Sequence, residues 1–244
     1  MNAGLPWRLS GTRLLAAAGA FALMTTACDA AEEQFWPEVD GFFKLDDRSR
    51  LFLMGSLTRA ENTDYRTGSP RYENGKVGAH VDISLRPLLR PALQEQDWER
   101  NRYLWVRIGY NYVGNYRADG ETYHEDRGIL ELSLRQPAAH GITLTGRLKW
   151  DLRDIDGDYS NRYRVRAGLE RAFEAGGHAL VPYAHAEAAY DSRYETWNRQ
   201  HYQAGVEVSI NKAWRIEPYL GRQNDSRSDA AHINILGLIL KYYH

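Results

Sequence analysis

Two groupings in the sequence have the residue types of acid–base chemistry. His80, Asp82 and Ser84 alternate along one segment, and His185 and Glu187 alternate along another. A hydrolase needs a nucleophile, a His base and an orienting acid or amide within hydrogen-bond contact. On a strand, same-face neighbours stand about 6.6–7 Å apart at the backbone, from a rise of ~3.3–3.4 Å per residue. A relay along one strand is therefore badly spaced, and both groupings read as hydrogen-bonding wall residues. Asp154, Asp156 and Asp158 around Gly157 resemble a cation-binding loop. They lack the ligand spacing and distal bidentate Glu of an EF-hand, so they read as a tight polar loop. The chain has no zinc pattern, phosphate-cradling glycine loop or nucleotide fingerprint. The expectation is no catalytic set, no metal and no cofactor.

A larger set of charges shares one face of the same segments. It comprises Arg86, Arg107, Arg135, Arg147, Lys149, Arg153, Arg164, Arg166 and Arg215, facing Asp82, Glu131, Asp151, Glu170, Glu187, Glu207 and Glu217. With His185, these are the candidate lumen-lining residues. Arg162, Arg164 and Arg166 form a ladder that could draw anionic solutes into a pore. The same residues could equally pair with the carboxylates and hold a small interior rigid.

The elements that carry these residues are strands. In 76–86, Val77, Ala79, Val81, Ile83 and Leu85 oppose Lys76, His80, Asp82, Ser84 and Arg86. Segment 142–153 places Leu144, Leu148, Trp150 and Leu152 opposite Arg147, Lys149, Asp151 and Arg153. Segments 162–170, 202–210 and 214–223 alternate in the same way, and less regular ones occupy 35–45, 50–60, 102–112, 128–135, 181–191 and 232–243. Period-two alternation in runs of about ten residues, bounded by turn chemistry, is the signature of an all-β protein.

Mean hydropathy is −0.60 with 26% charged residues. A soluble sandwich or lipocalin-like barrel fits those values, and so does a membrane barrel, in which only alternate residues face lipid. The aromatic positions favour the second. Tyr110, Tyr112, Tyr163, Tyr190, Tyr202, Trp214 and Tyr242 end apolar stripes, where girdle residues meet lipid headgroups. The stretch from Gly237 to Tyr243 resembles the C-terminal strand signal read by barrel-assembly machinery, although the chain ends on His244. The short turns at 46–48, 136–141, 174–178 and 211–213 alternate with polar stretches at 61–75, 113–127, 154–161, 192–200 and 224–231. That asymmetry matches the periplasmic and extracellular ends of an outer-membrane barrel, although 87–99 is a longer connection on the short side. The fold expected is an antiparallel transmembrane β-barrel of about 10–12 strands over residues 31–244. About eleven segments are legible, and the even-number rule for bacterial barrels then calls for ten or twelve.

Residues 1–30 read as a secretory signal peptide. Arg8 and Arg13 form its basic region, Leu14 to Met24 its apolar region, and Thr25 to Ala31 its small-residue cleavage zone. Cys28 also suggests an acylation site, but Thr25 stands where such sites carry Leu. Losing Arg8, Arg13 and Asp29 makes the exported chain one unit more negative than the full-length net charge of −1. Such a balance gives no support for nucleic acid as a partner; outer-membrane lipids and the assembly machinery are the partners expected.

Several pieces of the chain resemble a family of uncharacterised outer-membrane proteins known as a domain of unknown function. They are Trp36 to Val39 (WPEV), Arg50 to Arg59 (RLFLMGSLTR), Asn161 to Arg166 (NRYRVR) and Pro182 to Glu187 (PYAHAE) with Tyr190-Asp191. Trp197 to Tyr202 (WNRQHY), Ala204-Gly205-Val206 and Trp214 to Tyr219 (WRIEPY) complete the series. The resemblance runs from about Phe35 to Tyr243 and implies an outer-membrane β-barrel without an agreed activity. The functions to weigh are a small passive channel for polar solutes, a lipid-modifying hydrolase and a sealed structural barrel. Intact-mass measurement of the exported protein should give a chain beginning at Ala31; a mass that still includes residues 1–30 would reject the cleavage site.

Overall fold

The computed structural model describes residues 31–63, 70–85, 103–116, 122–227 and 231–244. Residues 1–30, for which a signal peptide is expected, and the lumen candidate Arg86 lie outside them. The strands are β1 (Glu32–Lys44), β2 (Ser49–Thr63), β3 (Pro70–Ser84), β4 (Leu104–Tyr116), β5 (Thr122–Pro137), β6 (Ile142–Ile155) and β7 (Asp158–Arg171). They continue with β8 (Phe173–Ala175), β9 (His178–Asp191), β10 (Thr196–Ser209), β11 (Trp214–Asp225) and β12 (His232–Tyr243). Among the described residues the one helical element is a 3-10 turn at Ala139–Gly141. No described helix is long and apolar enough to cross a membrane, which says nothing of strands.

β8 is a three-residue stub folded back on the start of β9, and β7 pairs directly with β9. The remaining eleven strands pair in chain order and close when β12 meets β1. The all-β barrel is as expected, but its count and its antiparallel character need correcting. All eleven legible segments are staves, so neither ten nor twelve holds. An odd number of up-and-down strands brings the first and last together pointing the same way. The seam is accordingly parallel, in register from Glu32 opposite Ile233 to Phe42 opposite Tyr243. Odd barrels are known outside the bacterial single-chain rule.

Local chemistry places the turns. Asp156 and Gly157 both have positive φ, 53° and 93°, as a two-residue hairpin turn that matches strand twist requires. In the β1–β2 turn, Asp46 accepts hydrogen bonds from the Ser49 hydroxyl at 2.6 Å and from the backbone N–H of Arg48 and Ser49. The Ser49 hydroxyl, followed by these amides, holds the Asp46 carboxyl below its ordinary range. The expected contrast between short and long connections does not hold. Strands run deep into the polar stretches, leaving connections of 64–69, 117–121, 156–157, 192–195 and 226–231 at one end. The longest connection, 85–103, lies at the other end, so connection length does not orient the barrel.

The two faces of the sheet are inverted relative to a water-soluble protein. Outward positions carry Val77 (59% exposed), Leu148 (54%) and Leu236 (55%), whereas Asp82, Asp151 and Asp191 are wholly buried inside. Aromatic side chains gather toward both ends of the outer wall. Trp150, Tyr163, Tyr190 and Trp197 form a chain of ring contacts at one end, and Trp214, Tyr242, Phe43 and His244 at the other.

The inner side of the seam is bound by stacked rings. Phe42 stacks on Tyr243 at 4.7 Å and on Phe52 at 4.8 Å. Guanidinium groups cap them: Arg50 over Phe42 at 4.2 Å, Arg107 over Phe52 at 3.9 Å and Arg215 over Tyr243 at 4.3 Å. Such contacts are worth ~0.5–1 kcal/mol at exposed sites and ~2 kcal/mol when desolvated, and they span β11, β12, β1, β2 and β4. Val39 and Leu240 are outward neighbours across the seam. The double substitution Val39→Cys, Leu240→Cys should therefore form a disulfide under oxidation, seen as a shift in gel mobility. An unlinked product would reject the parallel register.

Candidate functional site

The charged interior is organised in connected groups along the barrel. Toward the β6–β7 hairpin end, Arg153 donates to Glu125 at 2.6 Å and to Asp191 at 2.7 Å, and Arg162 donates to Asp191 at 2.7 Å. Arg127 also reaches Glu125, at 2.8 Å. At mid-height Asp151 is paired with Arg164 and with Lys149. Glu187 there receives Arg147, Arg164 and Arg166, and Arg147 also lies 3.7 Å from Glu131. Toward the C-terminal end, Asp82 accepts Arg50 at 2.9 Å and Arg107 at 2.6 and 3.0 Å. Arg135 pairs with Glu170, while Glu207 takes Arg215 at 2.9 Å and Lys241 at 2.8 Å. Lys241 also pairs with Glu217, which accepts the Tyr183 hydroxyl.

These contacts put every described candidate on the inner face: Arg107, Glu131, Arg135, Arg147, Asp151, Arg153, Arg164, Arg166, Glu170, His185, Glu187, Glu207, Arg215 and Glu217. Several partners lie outside the candidate set: Arg50, Glu125, Arg127, Asp191 and Lys241. Strand parity could have found most of them. Arg127 and Glu125 lie four and six residues before Glu131 on β5, and Asp191 lies four beyond Glu187 on β9, always on the same face.

The acid–base groupings do not assemble. Asp82 is taken by two arginines, and among the described residues neither the His80 ring nor the Ser84 hydroxyl hydrogen-bonds to Asp82 or to the other. Glu187 serves three arginines, while His185 stacks on Tyr183 at 5.7 Å. In the 154–158 loop, Asp154 accepts the Gly157 N–H at 2.8 Å and Asp156 accepts the His124 N–H at 2.9 Å. Those carboxylates tie the hairpin together. Among the described residues no cluster of three His, Cys, Asp or Glu could hold a metal ion.

Inward rings lie flat because glycines face them. A Cβ on Gly237 would fall 1.9 Å from Tyr219 Cζ, and one on Gly109 would fall 2.3 Å from His80 Nδ1. With side chains held against the wall, a cavity of about 1240 Å³ remains in the lumen. Eleven strands at ~4.8 Å spacing and ~40° tilt give a backbone radius of roughly 11 Å, which leaves room for that space after side chains are added. Among the described residues, fifteen Arg and Lys line it with nine Asp and Glu, and the buried carboxylates Asp40, Asp82 and Asp151 lie in the same wall.

Asp82→Asn would leave Arg50 and Arg107 without their shared counter-charge. Breaking a buried pair from one side costs about 3–5 kcal/mol, so urea unfolding of the variant should show a loss of that order. A change under 1 kcal/mol would mean that groups other than Asp82 balance the two arginines.

No curated protein matches this sequence. Among solved structures, LpxR from Salmonella typhimurium follows a related path at TM-score 0.44 and 8% identity, over 79% of this chain and 83% of that one. The likeness is too distant to carry function. The family model for "Protein of unknown function (DUF2490)" matches residues 33–234. The chain, with its parallel-seamed barrel, belongs to the DUF2490 family.

Proposed function

We propose that the protein is an outer-membrane β-barrel whose lumen passes small anionic solutes. The membrane assignment is supported by the apolar outer wall, with aromatic clusters toward both ends. In lipid every backbone polar group must be paired internally, which a closed barrel achieves. The signal peptide and the strand from Gly237 to Tyr243 fit export and recognition by assembly machinery. Outer-membrane lipids are then the partners of the outer wall.

The observation that carries the passage reading is the extent and charge of the lumen cavity. It is lined from Arg193, Tyr194 and Arg227, beside the turns at one end, to Arg135 and Glu170 near the opposite rim. Its excess of cationic side chains sits inside low-dielectric walls that focus the field along the axis. Much of the charge is also structural, since the arginines of β6 and β7 pair with wall carboxylates. A hydrolase has less support, because among the described residues His80, Ser84 and His185 form no relay.

Purified barrel in a planar bilayer should conduct, with a reversal potential in a KCl gradient that reports preference for chloride. Arg193→Glu with Arg227→Glu, at the mouth, should move that potential toward zero. Cation selectivity, or no current from folded protein, would sink the passage reading.

A further inference from the structure

The lumen is chemically two-sided. Trp36 on β1, Phe52 and Met54 on β2, Tyr219 on β11, and Ile233 and Ile239 on β12 all line the cavity. Tyr219, Ile233 and Ile235 form an apolar cluster against which Trp36 and Ile239 pack. That patch straddles the seam. The densest positive charge, Arg147 and Lys149 on β6 with Arg164 and Arg166 on β7, lies elsewhere on the ring. The pairing order says where: β6 is five strands from β1 in one direction and five from β12 in the other. It therefore stands diametrically opposite the seam. An apolar wall faces a cationic one.

The apolar wall does carry charge, mostly in paired sets, with Asp40 on β1 buried beside them. Glu38 lies 3.8 Å from Lys76, and Lys241 is shared by Glu207 and Glu217. On the cationic side, Arg147, Lys149, Arg164 and Arg166 outnumber their partners Glu131, Asp151 and Glu187. A fully hydrated anion would use only one of these surfaces. A molecule with a carboxylate at one end and a hydrocarbon body uses both.

From this opposition we infer that the lumen's ligands are amphipathic monoanions, of which medium-chain carboxylates are the simplest members. The carboxylate lies toward Arg147, Lys149, Arg164 and Arg166, and the chain lies along Met54, Tyr219, Ile233 and Ile239. The inference deepens the passage reading and rests on its lumen, yet binding can be measured without passage. Burying a methylene completely is worth about a fourfold gain in affinity, so partial burial against one wall gives about two- to fourfold per methylene.

The test uses butyrate, hexanoate, octanoate and decanoate on the whole barrel, with octan-1-ol as the uncharged twin. Equilibrium dialysis against barrel in lipid nanodiscs, with empty nanodiscs as blank, should give affinity rising at least twofold per added methylene. Octan-1-ol should bind no better than it does to the blank. Met54→Gln should flatten the chain-length slope, and Arg166→Gln should weaken all four acids together. In a bilayer the same acids should reduce chloride current in the same order. Affinity independent of chain length, or equal binding of octan-1-ol and octanoate, would overturn the inference even if the chloride current is normal. Chain-length-dependent binding by a barrel that carries no current would uphold the ligand class and defeat the passage reading.

Discussion

Closure of the sheet is the constraint from which the remaining features follow. A barrel edge left open would present a row of unpaired amides and carbonyls, and β12 can satisfy them only on β1. With eleven staves, that partner points the same way, and parallel pairs are slightly weaker per residue than antiparallel ones. The seam is reinforced on its inner side. Tyr243, Phe42 and Phe52 stack across it, and Arg215, Arg50 and Arg107 cover the rings. Asp82 in turn holds Arg50 and Arg107 in place. The most buried carboxylate of that end and the one parallel pairing among the described strands thus belong to one assembly.

The sequence was most legible where one wall of the lumen is most charged. Segments 76–86, 142–153 and 162–170 alternate cleanly because β3, β6 and β7 oppose outward aliphatic residues to inward ionic ones. Segments 35–45, 50–60 and 232–243 looked irregular because β1, β2 and β12 place Trp36, Phe42, Phe52, Met54, Ile233 and Ile235 inward. On β12 the polarity reverses partway. Ile233 and Ile235 face in while His232 and Asn234 do not, and from Leu236 the outward face is apolar. Period-two patterning assumes that one face stays apolar throughout, and the seam breaks that assumption.

The strand ends are hard to read from the sequence for a related reason. Beyond the apolar band both faces of a strand are polar, as at His124 and Glu125 on β5 or Arg222 and Gln223 on β11. Alternation vanishes there although the hydrogen-bonded ladder continues to Glu125 opposite Ile155 and to Gln223 opposite Ile233. Ion-pair partners were hidden for a geometric reason. Which carboxylate meets which arginine depends on stagger between strands, so Arg147 finds Glu187 two strands away. Parity along a strand identifies the inward set but not its pairings.

The glycines beneath the inward rings carry a consequence for how such a lumen could diversify. Gly237 receives the Tyr219 ring and Gly109 the His80 ring, which also reaches Gly78 beside Asn111. Each is a recess that takes a ring out of the central space. Replacing one by alanine would swing the ring toward the axis and narrow the bore at that height alone, with the strand count and outer wall unaltered. A family built on this plan could evolve its calibre by single substitutions, one aperture at a time.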